Sequence, residues 1–270
     1  MRIGSQLVQI AGSSVLLTGA SGGIGHAIAR ALHARGAQLT LTGRRTDVLE
    51  PLAVELQARA LAADLSDRAA LERLLDDVGD IDILLANAAL PASGRLESFS
   101  IEEIDRALDV NLRAPIVLAR MVAPGMLERR RGHLLFVSSL AGKAPSPGAS
   151  IYIASKAGLR AFSSALRADL HGSGVGVSTV FPGFISDAGM FADSGAQLPR
   201  GVGTRTPEDV ARAVVDAIEH DRGETDVAPL SLRVGAMFAG VAPELATRVS
   251  RRLGSEEIAR EIGDGQREKR

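Results

Sequence analysis

Ser14-Val-Leu-Leu-Thr18, followed directly by Gly19-Ala-Ser-Gly-Gly-Ile-Gly25, is the stretch that decides the fold of this chain. The first five residues form an apolar run without polar alternation, which is typical of a strand buried on both faces of a parallel sheet. A helical pattern with Ile28 and Leu32 on one face comes after the glycines. The order of strand, glycine turn and helix predicts a site where backbone N–H groups at a helix start bind a pyrophosphate.

Predicted strands and helices alternate along the rest of the chain. Apolar segments predict further strands at residues 38–42, 60–65, 81–89, 132–139, 175–181 and 224–228. Helical patterns lie between them, among them residues 46–59, 101–127 and 152–171. This alternation predicts an α/β fold with a doubly wound, parallel, Rossmann-like sheet of about seven strands and helices on both faces, in three layers. Ligands of such a sheet bind at the carboxyl ends of its strands.

One domain spanning residues 1–270 is expected, because no linker, repeat or low-complexity segment divides the chain. Residues 184–203 show little periodicity, and we expect a substrate lid there, since such segments are usually mobile binding loops. Residues 230–270 are expected to form a C-terminal helical extension that ends in a frayed, charged tail at residues 266–270.

Charge and composition exclude several classes of function. The formal net charge of −1 gives no electrostatic basis for binding nucleic acid or an anionic membrane. The absence of cysteine excludes disulfides, thiolate metal sites and cysteine nucleophiles, and no metal site is expected. Residues 1–9 lack the pattern of a secretory leader, and no apolar window of about 18 residues predicts a membrane span. We therefore expect a cytoplasmic protein.

Gly43-Arg44-Arg45 follows the second predicted strand, about 20 residues past the glycine turn. At this place in dinucleotide-binding folds an acidic residue binds the ribose hydroxyls, whereas an arginine accommodates a 2′-phosphate. The two guanidiniums therefore favour NADP(H), with NAD(H) as the alternative. Solvated charges at a helix start are the competing interpretation, which is less favourable because an arginine there opposes the helix macrodipole.

Tyr152 and Lys156 stand out by their rarity and their spacing. Tyr152 is the only tyrosine of the chain, and Lys156 is one of its three lysines. Because they are four residues apart on a predicted helix, they lie on the same face. A neighbouring cation favours the phenolate, so it lowers a tyrosine pKa from about 10 toward the range of a general acid or base.

Asn111 falls on the apolar face of the helix predicted at residues 101–127, so its amide should be buried and needs partners. Pro115 lies four residues later and has no N–H, so the Asn111 carbonyl loses its helical hydrogen-bond donor. Two interpretations stay open at this point. Either the free carbonyl holds a water, or the helix is kinked and its polar residue is satisfied internally.

Seven elements together resemble the short-chain dehydrogenase/reductase family in its single-domain branch. They are, in order, the glycine turn from Thr18 to Gly25, then Asp64, Asn87-Ala-Ala89, Asn111, Ser139, Tyr152-x-x-x-Lys156 and Pro182-Gly183. The resemblance covers most of the chain up to the last predicted strand. It implies hydride transfer between a nicotinamide, preferably NADP(H), and the carbonyl or secondary alcohol of a small apolar substrate. It also implies a homodimer or homotetramer. A non-catalytic dinucleotide-sensing regulatory protein on the same fold is the alternative.

The resemblance also implies a role for each site residue. Tyr152 would be the general acid/base, Lys156 would bind the nicotinamide ribose and lower the tyrosine pKa, and Ser139 would hold the substrate oxygen. Asn111 would position a water that links Lys156 to solvent. The implied cofactor contacts are Gly19, Ser21, Gly23, Ile24 and Gly25 at the glycine turn, Arg44 and Arg45 after the second strand, Asp64 and Leu65 at the adenine, Asn87, Ala88 and Ala89 at the adenosine ribose, and Tyr152, Lys156, Pro182, Gly183 and Ile185 at the nicotinamide.

Three features depart from the family pattern. Ala89 stands where glycine is usual, and Asp187 stands where a threonine often binds the nicotinamide carboxamide, which makes Ser186 the candidate substitute. The end of the chain lacks the Asp-Gly-Gly of the tetrameric reductases. Apolar side chains within residues 184–203, such as Phe191, indicate an apolar substrate pocket.

Overall fold

Seven parallel strands form one sheet in the computed structural model, which describes residues 8–198, 202–252 and 255–267. The strands are β1 (Ser14–Thr18), β2 (Gln38–Gly43), β3 (Arg59–Ala62), β4 (Ile83–Ala86), β5 (Gly132–Val137), β6 (Val175–Pro182) and β7 (Glu224–Val227). Their order across the sheet is β3-β2-β1-β4-β5-β6-β7. The direction of winding reverses beside β1, so the carboxyl ends of β1 and β4 open a crevice for a ligand. The predicted doubly wound parallel sheet is confirmed.

Helices cover both faces of this sheet. In the described ranges they are α1 (Gly23–His33), α2 (Thr46–Glu55), α3 (Arg68–Val78), α4 (Ile101–Leu108), α5 (Ala114–Glu128), α6 (Ser150–Asp169), α7 (Gly189–Ser194), α8 (Pro207–Glu219), α9 (Leu230–Val241), α10 (Pro243–Arg252) and α11 (Ser255–Gln266). Leu17 of β1 belongs to an apolar cluster with Ile28 and Val214, whereas Leu16 belongs to a second cluster with Leu118. Because successive residues of a strand point to opposite faces, β1 contributes to both cores of a three-layer fold.

Several predicted boundaries next to the crevice are wrong, among them the end of the strand predicted at residues 81–89, which is Ala86. The helix predicted at residues 46–59 ends at Glu55, since the chain turns away through Gln57, whose φ of 51° is left-handed. The strand predicted at residues 60–65 ends at Ala62, so Asp64 lies in the loop beyond the strand. Local turn conformation therefore decides both ends, although the apolar pattern continues past them.

A wider helical turn interrupts the helix predicted at residues 101–127. α4 begins with a capping box, in which Ser100 and Glu103 satisfy each other's backbone N–H groups. The next five residues, Asp109–Arg113, are π-helical, and the Ala114 N–H donates to the carbonyl of Asp109 five residues back. Such turns are rare and occur frequently at functional sites. The prediction of one continuous α-helix is wrong at this place.

The segment 184–203 carries more structure than we expected. α7 lies within it, and Ile185 forms a β-bridge with Arg205. The Ser186 N–H donates to the Arg205 carbonyl at 2.9 Å, so this end of the segment is tied to the start of α8. Residues 199–201 lie outside the described residues. The expectation of a segment without secondary structure is therefore wrong for the part that the structure describes.

The expectation of a frayed C-terminal tail is wrong at Gln266. This residue ends α11, and its side chain is only 3% exposed. The structure does not describe residues 268–270, which complete the predicted tail. It also does not describe residues 1–7, which belong to the stretch where the sequence lacks the pattern of a secretory leader. Helices α9 to α11 agree with the helical extension expected from residue 230 onward.

One helical run in the described part of the chain, Ile101–Glu128, is long and apolar enough to cross a membrane by length and composition alone. The core helices of proteins that do not span a membrane meet the same criterion. Within this run, Ala114 and Leu118 of α5 are buried in the apolar cluster that also contains Phe136 of β5. These contacts place the apolar face of α5 against the sheet.

His133 is buried within the sheet and makes the stability of the folded protein depend on pH. Its side chain is 1% exposed, Nε2 is 2.8 Å from the Ser178 hydroxyl, and burial lowers the histidine pKa to about 4. Between about pH 6.5 and 4 the unfolded chain binds a proton that the folded chain does not, so acid should lower the free energy of unfolding. We expect a slope of up to about 1.4 kcal/mol per pH unit from this residue. Urea unfolding across this range should show a shallower slope for His133→Gln, and an unchanged slope would contradict the assignment.

Candidate active site

The glycine turn after β1 brings its backbone against the end of β4. Gly19 has a φ of 66°, and a Cβ at this position would lie 2.6 Å from Ala88 Cα. Both the conformation and the close approach require glycine here. The Thr18 hydroxyl accepts from the N–H groups of Asn87 (3.0 Å) and Ala88 (3.1 Å), which joins the two strand ends. The turn is therefore held in place beside the crevice between β1 and β4.

The start of α1 has the features of an anion-binding site. Gly22 precedes the helix and provides no side-chain cap, and the first turn contains no acidic residue. The N–H groups of this turn and the positive end of the helix dipole are therefore available to a phosphate. A Cβ at Gly25 would lie 2.3 Å from the Gly19 carbonyl oxygen, so the first helical turn packs directly on the glycine turn.

The two arginines after β2 have different surroundings. The Arg45 guanidinium donates to the carbonyl of Ser21, so it supports the glycine turn from outside. Arg44 is exposed and lines the same cleft. Asp64 accepts at 3.0 Å from the Ser66 N–H and at 2.7 Å from its hydroxyl. Although burial alone would raise the pKa of Asp64, these hydrogen bonds hold it below its ordinary value, so the group is a carboxylate.

Ser139, Tyr152 and Lys156 meet at the carboxyl end of β5. The Ser139 hydroxyl is hydrogen-bonded to the phenol, and it also lies 3.4 Å from the Pro182 carbonyl. Lys156 is 2% exposed, and its Nζ donates to the Val137 carbonyl at 3.0 Å. The ammonium lies 5.8 Å from the centre of the tyrosine ring. The loop after β5 and one turn of α6 therefore place a hydroxyl, a phenol and an amine side by side.

The expected direction of the tyrosine pKa is wrong. Burial raises the pKa of Tyr152, and the hydrogen bond with Ser139 opposes this rise only in part. Burial also lowers the pKa of Lys156 to about 8. The Lys156 ammonium donates to the Val137 carbonyl, so its hydrogen bond goes to the backbone and not to the phenol.

Asn111 lies behind the cleft, in the π-helical turn. Its side chain is completely buried, with Oδ1 accepting from the Leu90 N–H at 2.6 Å and Nδ2 donating to the Leu90 carbonyl at 2.9 Å. Leu90 itself lines the cleft, just past the end of β4. The sequence left two interpretations open, a bound water or a polar residue satisfied within the protein. The second describes this side chain, because its amide is hydrogen-bonded to the backbone of Leu90. The wide turn aims the amide at this segment.

The predicted site residues other than Asn111 line one cleft of about 1230 Å³. It is lined by Gly19, Ser21, Gly23, Ile24, Gly25, Arg44, Arg45, Asp64, Leu65, Asn87, Ala88, Ala89, Ser139, Tyr152, Lys156, Pro182, Gly183 and Ile185. Asn111 does not line it and reaches it only through Leu90. Neither Ser186 nor Asp187 lines it; their side chains bond each other at 2.7 Å. The role considered for Ser186 as the substitute at the nicotinamide carboxamide stays a prediction.

Sequence reasoning missed several parts of the cleft wall, and two of them bear on the site. The first is Leu90, whose role as the partner of Asn111 leaves no signal in the local pattern. The second is the C-terminal helix, from which Ala259, Ile262 and Gln266 line the cleft. Their spacing along α11 places them on one helical face, which is a signal that the sequence offers. Which surface that face covers depends on the tertiary structure.

Comparison with known families identifies the class of protein. The family model described as short chain dehydrogenase matches residues 13–199, so the chain belongs to this family. It is an NAD(P)-dependent oxidoreductase, as the resemblance of the sequence predicted.

Three known proteins show how similar individual relatives are. Ketoacyl reductase HetN from Nostoc sp. is 37% identical over 82% of this chain and 80% of its own length. NADP-dependent 3-hydroxy acid dehydrogenase YdfG from Salmonella typhi is 36% identical over 74% of this chain and 86% of its own. The structure of a short-chain dehydrogenase from Sphingobium yanoikuyae in complex with NADPH aligns with a TM-score of 0.75 at 30% identity, over 87% of this chain and 95% of the other.

Proposed function

We propose that this protein is an NADP(H)-dependent oxidoreductase that interconverts a carbonyl and a secondary alcohol on an apolar substrate. The observation that carries the proposal is the joint position of Ser139, Tyr152 and Lys156 in a cleft that continues to the glycine turn. A regulatory protein that only senses a dinucleotide has no need for a hydroxyl, a phenol and a buried amine side by side in one cleft. Catalysis of carbonyl reduction uses all three.

The proposed proton transfer starts from Tyr152. In the reductive direction the substrate carbonyl oxygen accepts hydrogen bonds from the hydroxyls of Ser139 and Tyr152. The bound nicotinamide supplies the hydride that the carbonyl carbon gains. As negative charge develops on the oxygen, Tyr152 gives up its phenolic proton and the alcohol is formed. Lys156 stabilises the resulting phenolate by its charge. The pKa of Tyr152, raised by burial, keeps the phenol protonated and ready to donate.

NADP(H) fits the residues at the other end of the cleft. Glycine is required where the turn meets Ala88, and the start of α1 offers uncapped N–H groups to a pyrophosphate. Arg44 provides an exposed guanidinium for a 2′-phosphate at the place where an acidic residue would select NAD(H). The NADP dependence named for the Salmonella typhi relative supports the same cofactor.

The substrate is proposed to be a ketoacyl or hydroxy acid compound with an apolar chain. Two relatives are named for this chemistry. Phe184 and Phe191 pack with ring centres 4.9 Å apart and ring planes inclined by 56°, and both line the cleft together with Leu198 and Phe238. We propose that residues 184–203 act as the lid over this pocket, within one domain that assembles as a homodimer or homotetramer.

A panel of ketones, 3-ketoacyl thioesters, 3-hydroxy acids and secondary alcohols tests the proposed function. The purified protein should change the near-ultraviolet absorbance of NADPH or NADP⁺ with at least one member of the panel. If NADPH binds and no member of the panel is turned over, the proposed interconversion of a carbonyl and a secondary alcohol fails. The nucleotide-sensing alternative would then be the better account of the site.

Replacing Arg44 by alanine tests the choice of cofactor. We expect NADPH to bind about 10- to 100-fold more weakly, because a charge-assisted hydrogen bond to the 2′-phosphate is lost, while NADH binding stays nearly unchanged. Titration of both cofactors measures the effect. The matched control is Arg120→Ala, which removes an exposed guanidinium from α5 away from the cleft. Equal loss of NADPH and NADH affinity in Arg44→Ala would contradict the assignment.

A further inference from the structure

Helix α11 packs closely against two other segments beside the cleft. A Cβ at Gly263 would lie 3.1 Å from Gly94 Cα. A Cβ at Gly265 would lie 2.2 Å from the carbonyl oxygen of Ser194, the last residue of α7. A side chain at residue 265 would therefore push the helix away from α7. The two glycines allow the backbone of α11 to bridge the substrate end of the cleft.

Gln266 ends α11 within this contact. Its side chain is 3% exposed and lines the cleft, and its Nε2 donates to the Met190 carbonyl of α7 at 3.2 Å. Because the amino group must face a carbonyl, the orientation of the amide is determined, and Oε1 is the free end. Oε1 is buried and has no hydrogen-bond partner among the described residues.

A buried acceptor without a donor is costly, which makes this atom a candidate for ligand recognition. An unpaired buried polar atom costs stability, and such atoms are rare in folded proteins. Met190, Phe191 and Ile262, which line the cleft together with Gln266, have side chains without a hydrogen-bond donor. In the proposed function, the oxygen of the reacting carbonyl accepts hydrogen bonds from the hydroxyls of Ser139 and Tyr152. The donor that Oε1 lacks therefore belongs to another part of the substrate.

We infer that Gln266 is a specificity-determining residue, whose Oε1 accepts a hydrogen bond from an N–H or O–H group of the substrate remote from the reacting carbonyl. This inference rests on the proposed function. An amide oxygen only accepts, so an amide N–H or a hydroxyl satisfies it, whereas an ether, an ester or a carboxylate does not. A site built around a polar partner rejects analogues that lack it, because its buried group is then left unpaired.

Pairs of substrates that differ by one donor test the inference. The probes are acetoacetyl thioesters of N-acetylated aminoalkanethiols in a ladder of spacer lengths, each compared with its N-methyl derivative. At the best spacer length the wild-type protein should prefer the N–H compound by about tenfold in kcat/KM. Gln266→Met keeps the side-chain length and removes the acceptor, so this preference should disappear. NADPH binding by the variant verifies that it is folded.

Two further variants separate recognition from the packing of α11. Gln266→Glu keeps an acceptor but loses the bond to Met190, so the preference for the N–H compound should remain while KM rises for both compounds. Glu261→Ala removes the acceptor of the Gln197 N–H, a 3.3 Å contact of α11 with the segment after α7, and should also leave the preference intact.

The possible failures are distinguishable. If the wild-type protein reduces both members of every pair equally, or if Gln266→Met keeps the preference, the inference is wrong and the proposed function stands. If the wild-type protein reduces no ketone, in this ladder or in the wider panel, the proposed function fails, and the inference fails with it.

Discussion

Replacing Tyr152 by phenylalanine is expected to lower kcat by about 10²- to 10⁴-fold, because the variant lacks the proton that the developing alcohol requires. The ring stays, so the packing of Tyr152 against Ile151 and its neighbours should be kept. NADPH affinity should change little, since the glycine turn and Arg44 are untouched. Steady-state reduction of the best ketone from the panel, combined with NADPH titration, measures both quantities.

The control for this variant is Ser163→Ala. It removes a buried hydroxyl from the same helix, α6, where Ser163 pairs with Thr179 at 2.6 Å outside the cleft. This variant should keep kcat near that of the wild type, although some stability is lost. Retained activity in Tyr152→Phe would contradict the role of the phenol as proton donor, whichever substrate is used.

Replacing Asn111 by leucine is expected to lower the free energy of unfolding by about 2–6 kcal/mol. Both the N–H and the carbonyl of Leu90 lose their partner in the buried interior, and each unpaired group costs about 1–3 kcal/mol. Leucine is branched at the same carbon as asparagine and is larger, so the loss does not come from a cavity. Urea unfolding measures the change, and activity should fall as well because Leu90 forms part of the cleft wall.

Asn111→Asp is the matched comparison. A protonated carboxyl can accept from the Leu90 N–H and donate to the Leu90 carbonyl, so this variant should be more stable than Asn111→Leu at low pH. As the pH rises, ionisation places a buried negative charge beside the carbonyl, and the loss of stability should grow. If Asn111→Leu unfolds at the same urea concentration as the wild type, the two hydrogen bonds contribute nothing measurable.

The sequence by itself predicted the sheet, the glycine turn and the family. These features depend on local patterns, since a buried parallel strand is apolar throughout and a tight turn against another backbone needs glycine. Tyr152 and Lys156 could be paired for the same reason, because helical spacing brings residues four apart to one face. Ser139 could be placed near them because carboxyl ends of parallel strands meet at one edge.

Other features were decided only by the tertiary structure. The pKa of Tyr152 was expected to fall, but burial raises it, and burial is not encoded in the spacing of residues. The partner of Asn111 is a backbone segment 21 residues earlier in the chain. Gln266 follows the glycine turn by more than two hundred residues and yet lines the same cleft. Local patterns determine what a segment can form, whereas contacts between distant segments determine which polar atoms are paired and how strongly a buried charge is disfavoured.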